Sequence, residues 1–154
     1  FNTAVQSMND NRQREGEKLA VAIIQRIDQV EQEVNATRTL IPALMQQQRE
    51  RVLKRIADLD IEVNSDRLEQ ELVHLAQKAD VDEELDRLDA HITEVRHTLA
   101  KGGPCGRRLD FLMQELNREA NTLASKSLSS ITTQSSIELK VLIEQMREQI
   151  QNIE

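Results

Sequence analysis

The sequence predicts an all-α fold, a helical bundle from which a long antiparallel helical hairpin protrudes. Apolar residues recur at steps of three and four along most of the chain, the spacing that lines one side of an α-helix. β-branched residues do not fall into the alternating runs that make strands. Four Gly and two Pro in 154 residues leave few turns, so the helices must be long. With two Phe and no Trp or Tyr, aliphatic side chains must build the core.

The first helix is expected from about Thr3 to Ile41. Ile23, Ile27, Val30, Val34, Thr37 and Ile41 alternate steps of four and three, a heptad seam. Pro42 suits the first turn of a new helix and ends the old one. Met45, Arg49, Val52, Ile56 and Leu59 continue the stripe, so a second helix should fold back as an αα-hairpin. Residues 1–63 are thus read as a hairpin arm and residues 64–154 as a helical domain holding the candidate site.

Asn64, Ser65 and Asp66 are good N-caps and mark the clearest central break. Leu68, Leu72, Leu75 and Ala79 form the next stripe. Asp80 with Glu83 three residues on reads as a capping box. It opens a helix carrying Val81, Leu85, Leu88, Ile92, Val95 and Leu99. Lys101-Gly102-Gly103-Pro104-Cys105-Gly106 is a loop. The helix from Arg107 to Lys126 packs Leu109, Leu112, Met113 and Leu116, and should loosen between Asn121 and Ser130, where Ser and Thr compete for backbone bonds. Leu139, Ile143, Met146, Ile150 and Ile153 form the last seam. So many seams on a small chain imply an oligomer.

Net charge is −7, with 27 acidic against 20 basic residues, the wrong sign for holding nucleic acid by bulk electrostatics. Any RNA contact must rest on local basic groups, on another domain or on metal ions held by carboxylates. No apolar run approaches the roughly 20 residues that span a bilayer. The single Cys105 rules out an internal disulfide and fits a reducing, cytoplasmic setting. Phosphate-loop, paired-Cys zinc, Ser–His–Asp and Rossmann patterns are absent.

Two constellations carry chemistry. Glu84, Arg87 and His91, spaced three and four apart, line one side of a helix beside its apolar stripe. A carboxylate and an imidazole so placed can bind a divalent metal or share a proton. By spacing alone, a solvated helix with one Glu–Arg pair is the commoner outcome. The second constellation is Asp110, Gln114, Asn117 and Asn121, with Glu115, Arg118, Glu119 and Thr122 as an adjoining stripe. Amides can read RNA hydroxyls or base edges, carboxylates can hold Mg²⁺ or Mn²⁺, and Arg118 and Lys126 can bind phosphate. A buried polar network that fixes helix packing between subunits explains the same residues. Arg67, Glu69 and Glu71 are candidates to close the groove. His74 reads as a packing residue and His97 as a surface one.

The segments RRLDFLMQELNREANTLASK (107–126) and RLEQELVHLAQKADVDEELDRLDAHI (67–92) resemble the C-terminal domain of the YicC family of bacterial endoribonucleases. The ending SIELKVLIEQMREQIQNIE and the early Arg14-Glu15-Gly16-Glu17-Lys18-Leu19 fit as well. The resemblance implies a fragment preceded by an N-terminal domain, and a ring-like homo-oligomer, such as a hexamer, that cleaves RNA with a divalent cation. Glu84, His91, Glu115 and Glu119 would form the metal and acid–base centre. Arg87, Arg118 and Lys126 would hold phosphates, with Asn117, Asn121 and Gln114 orienting RNA or carboxylates. The rival readings are a non-catalytic helical oligomerisation scaffold, which the acidic balance favours, and RNA binding without cleavage.

Overall fold

The periodic stripes become α-helices in the computed structural model, which describes residues 2–58, 65–126 and 130–152. The side chains of residues 52, 56, 58, 65, 67–69 and 71–80 lie outside that description. The elements are α1 (Asn2–Asp58), α2 (Ser65–Lys101), α3 (Gly106–Ser125) and α4 (Ser130–Gln151). Among the described residues there is no strand.

Each helix packs on two others, α1 on α2 and α4, and α3 on α2 and α4, so the four close a ring around one core. Ion pairs fix the directions. Arg96 reaches Asp28 and Glu31 of α1, whereas Arg38 reaches Asp86 and Asp89 of α2, so these helices run antiparallel. Glu94 meets Arg108 and Glu84 meets Lys126, which makes α2 and α3 antiparallel too. The core is aliphatic throughout: Ile23, Ile27, Val30, Val34 and Ile41 from α1, then Val81, Leu85, Leu88, Ile92 and Val95 from α2. Leu109, Leu112, Met113 and Leu116 of α3 and Leu139, Ile143, Met146 and Ile150 of α4 complete it. Thr37 joins the α1 seam fully buried because its hydroxyl donates to the Glu33 carbonyl at 2.8 Å.

Two expected breaks do not occur. α1 runs unbroken through Pro42. An interior proline removes one helical hydrogen bond, here the one owed to the Arg38 carbonyl, and costs roughly 3 kcal/mol. Pro42 is exposed, where water can supply the missing donor, while Ile41 and Leu44 on the other side are buried. Burial continuing across the proline outweighs the local penalty. The stripe beyond it passes through Leu44 with Met45 packed at the core margin, and Arg49 is exposed. The second break, at Asp80, is likewise bridged by α2. Val81 and Leu85 face the same core as the turns that follow, so the helix has no reason to turn. Leu59 and the side chains of Val52, Ile56, Leu68, Leu72, Leu75, Ala79 and Asp80 are outside the described residues, as is Ile153.

The long antiparallel pair is therefore α1 with α2. At 57 and 37 residues they outrun α3 and α4, at 20 and 22 residues. α1 alone is about 85 Å long at 1.5 Å per residue. Its residues 2–18 are exposed. The α2–α3 reversal falls where Gly102 (φ 71°) and Gly103 (φ 76°) take left-handed backbone that other residues rarely adopt.

Candidate functional site

α2 has two polar flanks either side of its apolar stripe. Asp86, Asp89 and Arg96 face α1. Glu84, Arg87, His91 and Glu94, spaced by three and four, face α3. α3 answers with Glu115, Glu119 and Lys126 on one flank of its own stripe. The antiparallel register sets Lys126 opposite Glu84, Glu119 opposite Arg87 and His91, and Arg108 opposite Glu94.

At the centre of this seam two carboxyl groups are nearly withdrawn from water, Glu84 at 3% and Glu119 at 5% exposure. Lys126 Nζ donates to Glu84 Oε1 at 3.4 Å. Arg87 lies 3.6 Å from Glu84 and 4.0 Å from Glu119, and its other nitrogen donates to Glu83 at 2.6 Å. His91 Nε2 is 3.9 Å from Glu119 Oε1. Burial pushes the Glu119 carboxyl up to about 7, helped by its hydrogen bond to Glu84 and by that group's charge, against the pull of Arg87 and Arg118. Burial also presses Glu84 upward. The hydrogen bonds from Glu119 and Lys126 and the charges of Lys126 and Arg87 outweigh it, so Glu84 sits below the ordinary carboxylate value. One proton shared between the two is the physical result. Glu84 Oε2 is buried with no hydrogen-bond partner.

His91, Glu115 and Glu119 each offer a ligand atom, and these atoms lie within 4.8 Å of one another. One imidazole and two carboxylates suit a divalent transition ion such as Mn²⁺. The side chains would close in slightly to reach ligand distances of about 2 Å. The donor set and the spacing both fit such an ion. Of the four metal candidates read from sequence, three meet here, and Glu84 stands behind them, bound to Lys126 and coupled to Glu119.

The RNA-contact candidates divide. Arg87 and Lys126 are at the seam, and Arg118 is exposed and close enough to stabilise the Glu119 anion. Gln114 points elsewhere: it donates to Asp110 at 3.2 Å, and Asp110 lies 3.7 Å from Arg147 of α4. Asn117 (half-buried) and Asn121 (exposed) share the Gln114 stripe by spacing, on the other flank of α3. Arg67, Glu69, Glu71 and His74 are among the undescribed side chains; His97 is exposed and Cys105 packs at the core margin. Sequence reasoning missed Glu83, which holds Arg87 from one turn away; the four-residue spacing was the available signal. A concavity of about 740 Å³ beside the Gly102–Gly106 loop is lined by Cys105 but by none of the seam residues.

Comparison with known proteins gives consistent matches. Residues 37–154 match the family model described as Endoribonuclease YicC-like, C-terminal. A protein named Probable endoribonuclease YicC from Haemophilus influenzae is 57% identical over 143 residues, 93% of this chain and 50% of the relative. A protein of the same name from Clostridioides difficile is 36% identical over 154 residues, 98% of this chain and 53% of the relative. The chain thus spans about half the length of these curated relatives.

Proposed function

The chain belongs to the YicC-like endoribonuclease family, and from that membership we propose that it is the portion of an RNA-cleaving enzyme that carries its reaction centre, at the α2–α3 seam. The observation that supports this most is the convergence of His91, Glu115 and Glu119, from two helices, within 4.8 Å. These three residues would hold a divalent cation, Mn²⁺ or Mg²⁺, with Glu84 behind them. When bound, it would supply charge stabilisation to the phosphoryl oxygens and lower the pKa of water. Arg87 and Arg118, both exposed beside Glu119, bind the phosphates on either side of the cut. Lys126 keeps Glu84 ionised and adds positive charge at one end of the groove. Where it does not hold the ion, His91 moves a proton at the attacking or departing oxygen. Asn117, Asn121 and Gln114 would meet RNA only where the strand wraps over α3. The exposed Ile137 and Val141, four residues apart on α4, support self-association, and the lone Cys105 supports a reducing, cytoplasmic setting. Among the described residues no helix is long and apolar enough to cross a membrane.

The test is RNA cleavage by the full-length protein in Mn²⁺. His91→Ala and Glu115→Gln should each slow it at least about a hundredfold, the scale of a lost acid–base group. Folded variants that cut at the unmodified rate would sink the assignment. The Glu119 carboxyl at about 7 favours a second reading, in which Glu119 is itself the general acid and no ion is needed. Cleavage that survives exhaustive chelation yet fails in Glu119→Gln would select that reading.

A further inference from the structure

The seam continues beyond its carboxylates to a feature that catalysis does not use. Phe111 is one of two aromatic residues in the chain, and it contributes nothing to the core: the ring is 49% exposed. It stands on α3 four residues before Glu115, eight before Glu119 and seven before Arg118, so it shares their flank of the helix. The rise from Phe111 to Glu115 is about 6 Å. The Arg108 guanidinium lies over the ring, 5.5 Å from its centroid, within cation–π range. Arg108 is in turn anchored, donating to Glu94 of α2 at 3.2 Å. Glu94 is three residues from His91, so Glu94, Arg108 and Phe111 form the next layer of the groove that holds His91 and Glu119.

We propose that Phe111 and Arg108 form a stacking platform for an unpaired nucleobase of single-stranded RNA, next to the phosphate held at the α2–α3 seam. The inference rests on the reading of the seam as an RNA-cleaving centre and adds what that centre recognises. Single-stranded RNA is gripped by aromatic rings and Arg planes that stack on splayed bases beside a locally positive groove that tracks the backbone. In a chain of net charge −7, Arg87, Arg108 and Arg118 supply that local charge along the seam. Stacking tolerates any base, so the platform selects unpaired over duplex RNA and does not select sequence. A base in a duplex is stacked on its neighbours and unavailable.

The chain contains no Trp, so Phe111→Trp places a single reporter at the platform of the 154-residue chain. A labelled single-stranded RNA oligonucleotide of mixed sequence and its duplex form are the probes. Binding is read by anisotropy and stacking by Trp emission. The single strand should bind and quench the Trp, and the duplex should bind more weakly. Phe111→Leu, which keeps apolar bulk without a ring, should weaken single-strand binding about 5- to 100-fold with its melting temperature unchanged. If RNA binds but leaves Trp emission and Phe111→Leu affinity unaltered, the platform is wrong while the catalytic reading stands. A changed oligomeric state in Phe111→Leu with unaltered RNA affinity also overturns it, in favour of a contact with a second copy. If neither the wild-type chain nor the full-length protein binds RNA, both readings fall together.

Discussion

Glu119 concentrates the chemistry of the molecule in one side chain. Its folded-state pKa is raised to about 7, so it binds a proton more tightly in the fold than in the unfolded chain, where it titrates near 4.5. The stability this gives is complete below pH 4.5 and is lost as pH rises through 7. Glu84 is lowered and acts oppositely: its contribution is present above pH 4.5 and disappears as pH falls below that. Without divalent cations, the melting temperature should therefore decline from pH 5 to pH 8. Glu119→Gln, which mimics the protonated group, should flatten that decline and melt higher than wild type at pH 8. An unchanged slope would show that the pair does not share its proton. Added Mn²⁺ should raise the wild-type melting temperature at pH 8, because an ion that binds only the folded state stabilises it. It should do little for His91→Ala. The spacing of Glu84, Arg87 and His91 could be read in the sequence. The near-complete burial of Glu84 and Glu119 could not, because it depends on which flank of α2 meets which flank of α3.

At the scale of elements, the sequence marks some helix boundaries and not others: α2 starts at Ser65, within the Asn64–Asp66 break, and α3 ends at Ser125. Gly102 and Gly103 have positive φ and open space where a Cβ would stand, so only the backbone resists substitution. Gly102→Ala and Gly103→Ala should each cost about 1–2 kcal/mol in a urea titration, the price of a left-handed L-residue. Pro42 and Asp80 carry equally strong local signals and neither ends a helix; at Pro42 core burial resumes within a turn on the far side. Pro42→Ala should accordingly stabilise the protein by about 1–2 kcal/mol, the restored hydrogen bond being partly offset by a freer unfolded chain. A loss of stability would mean that α1 depends on the shape the proline imposes. Helical stripes were legible almost residue by residue, since Ile23 to Ile41 and Val81 to Val95 are buried where the period puts them. Helix length was not, since it is decided by what the helix packs against.

For the whole molecule, the four described helices close a ring around a core that holds no aromatic side chain among the described residues. Leu116 and Leu88 are completely buried where α2 and α3 meet. Leu116→Ala should cost about 2–5 kcal/mol by denaturant unfolding, the range for a cavity in a packed core. It should also weaken Mn²⁺ binding, because the layer it supports sets the distance between His91 and Glu119. Unaltered Mn²⁺ affinity would show that the seam is held by its own ion pairs alone. The amino-acid order by itself determined the helical class, the apolar stripes, the glycine turn and the family, for these follow from spacing and from residue identity. Only the tertiary structure decided that α1 passes through Pro42, that Gln114 turns toward α4, and that Glu84, Glu119, His91 and Glu115 share one seam. Those outcomes depend on the register between helices, a balance of burial and charge across elements that no local spacing encodes.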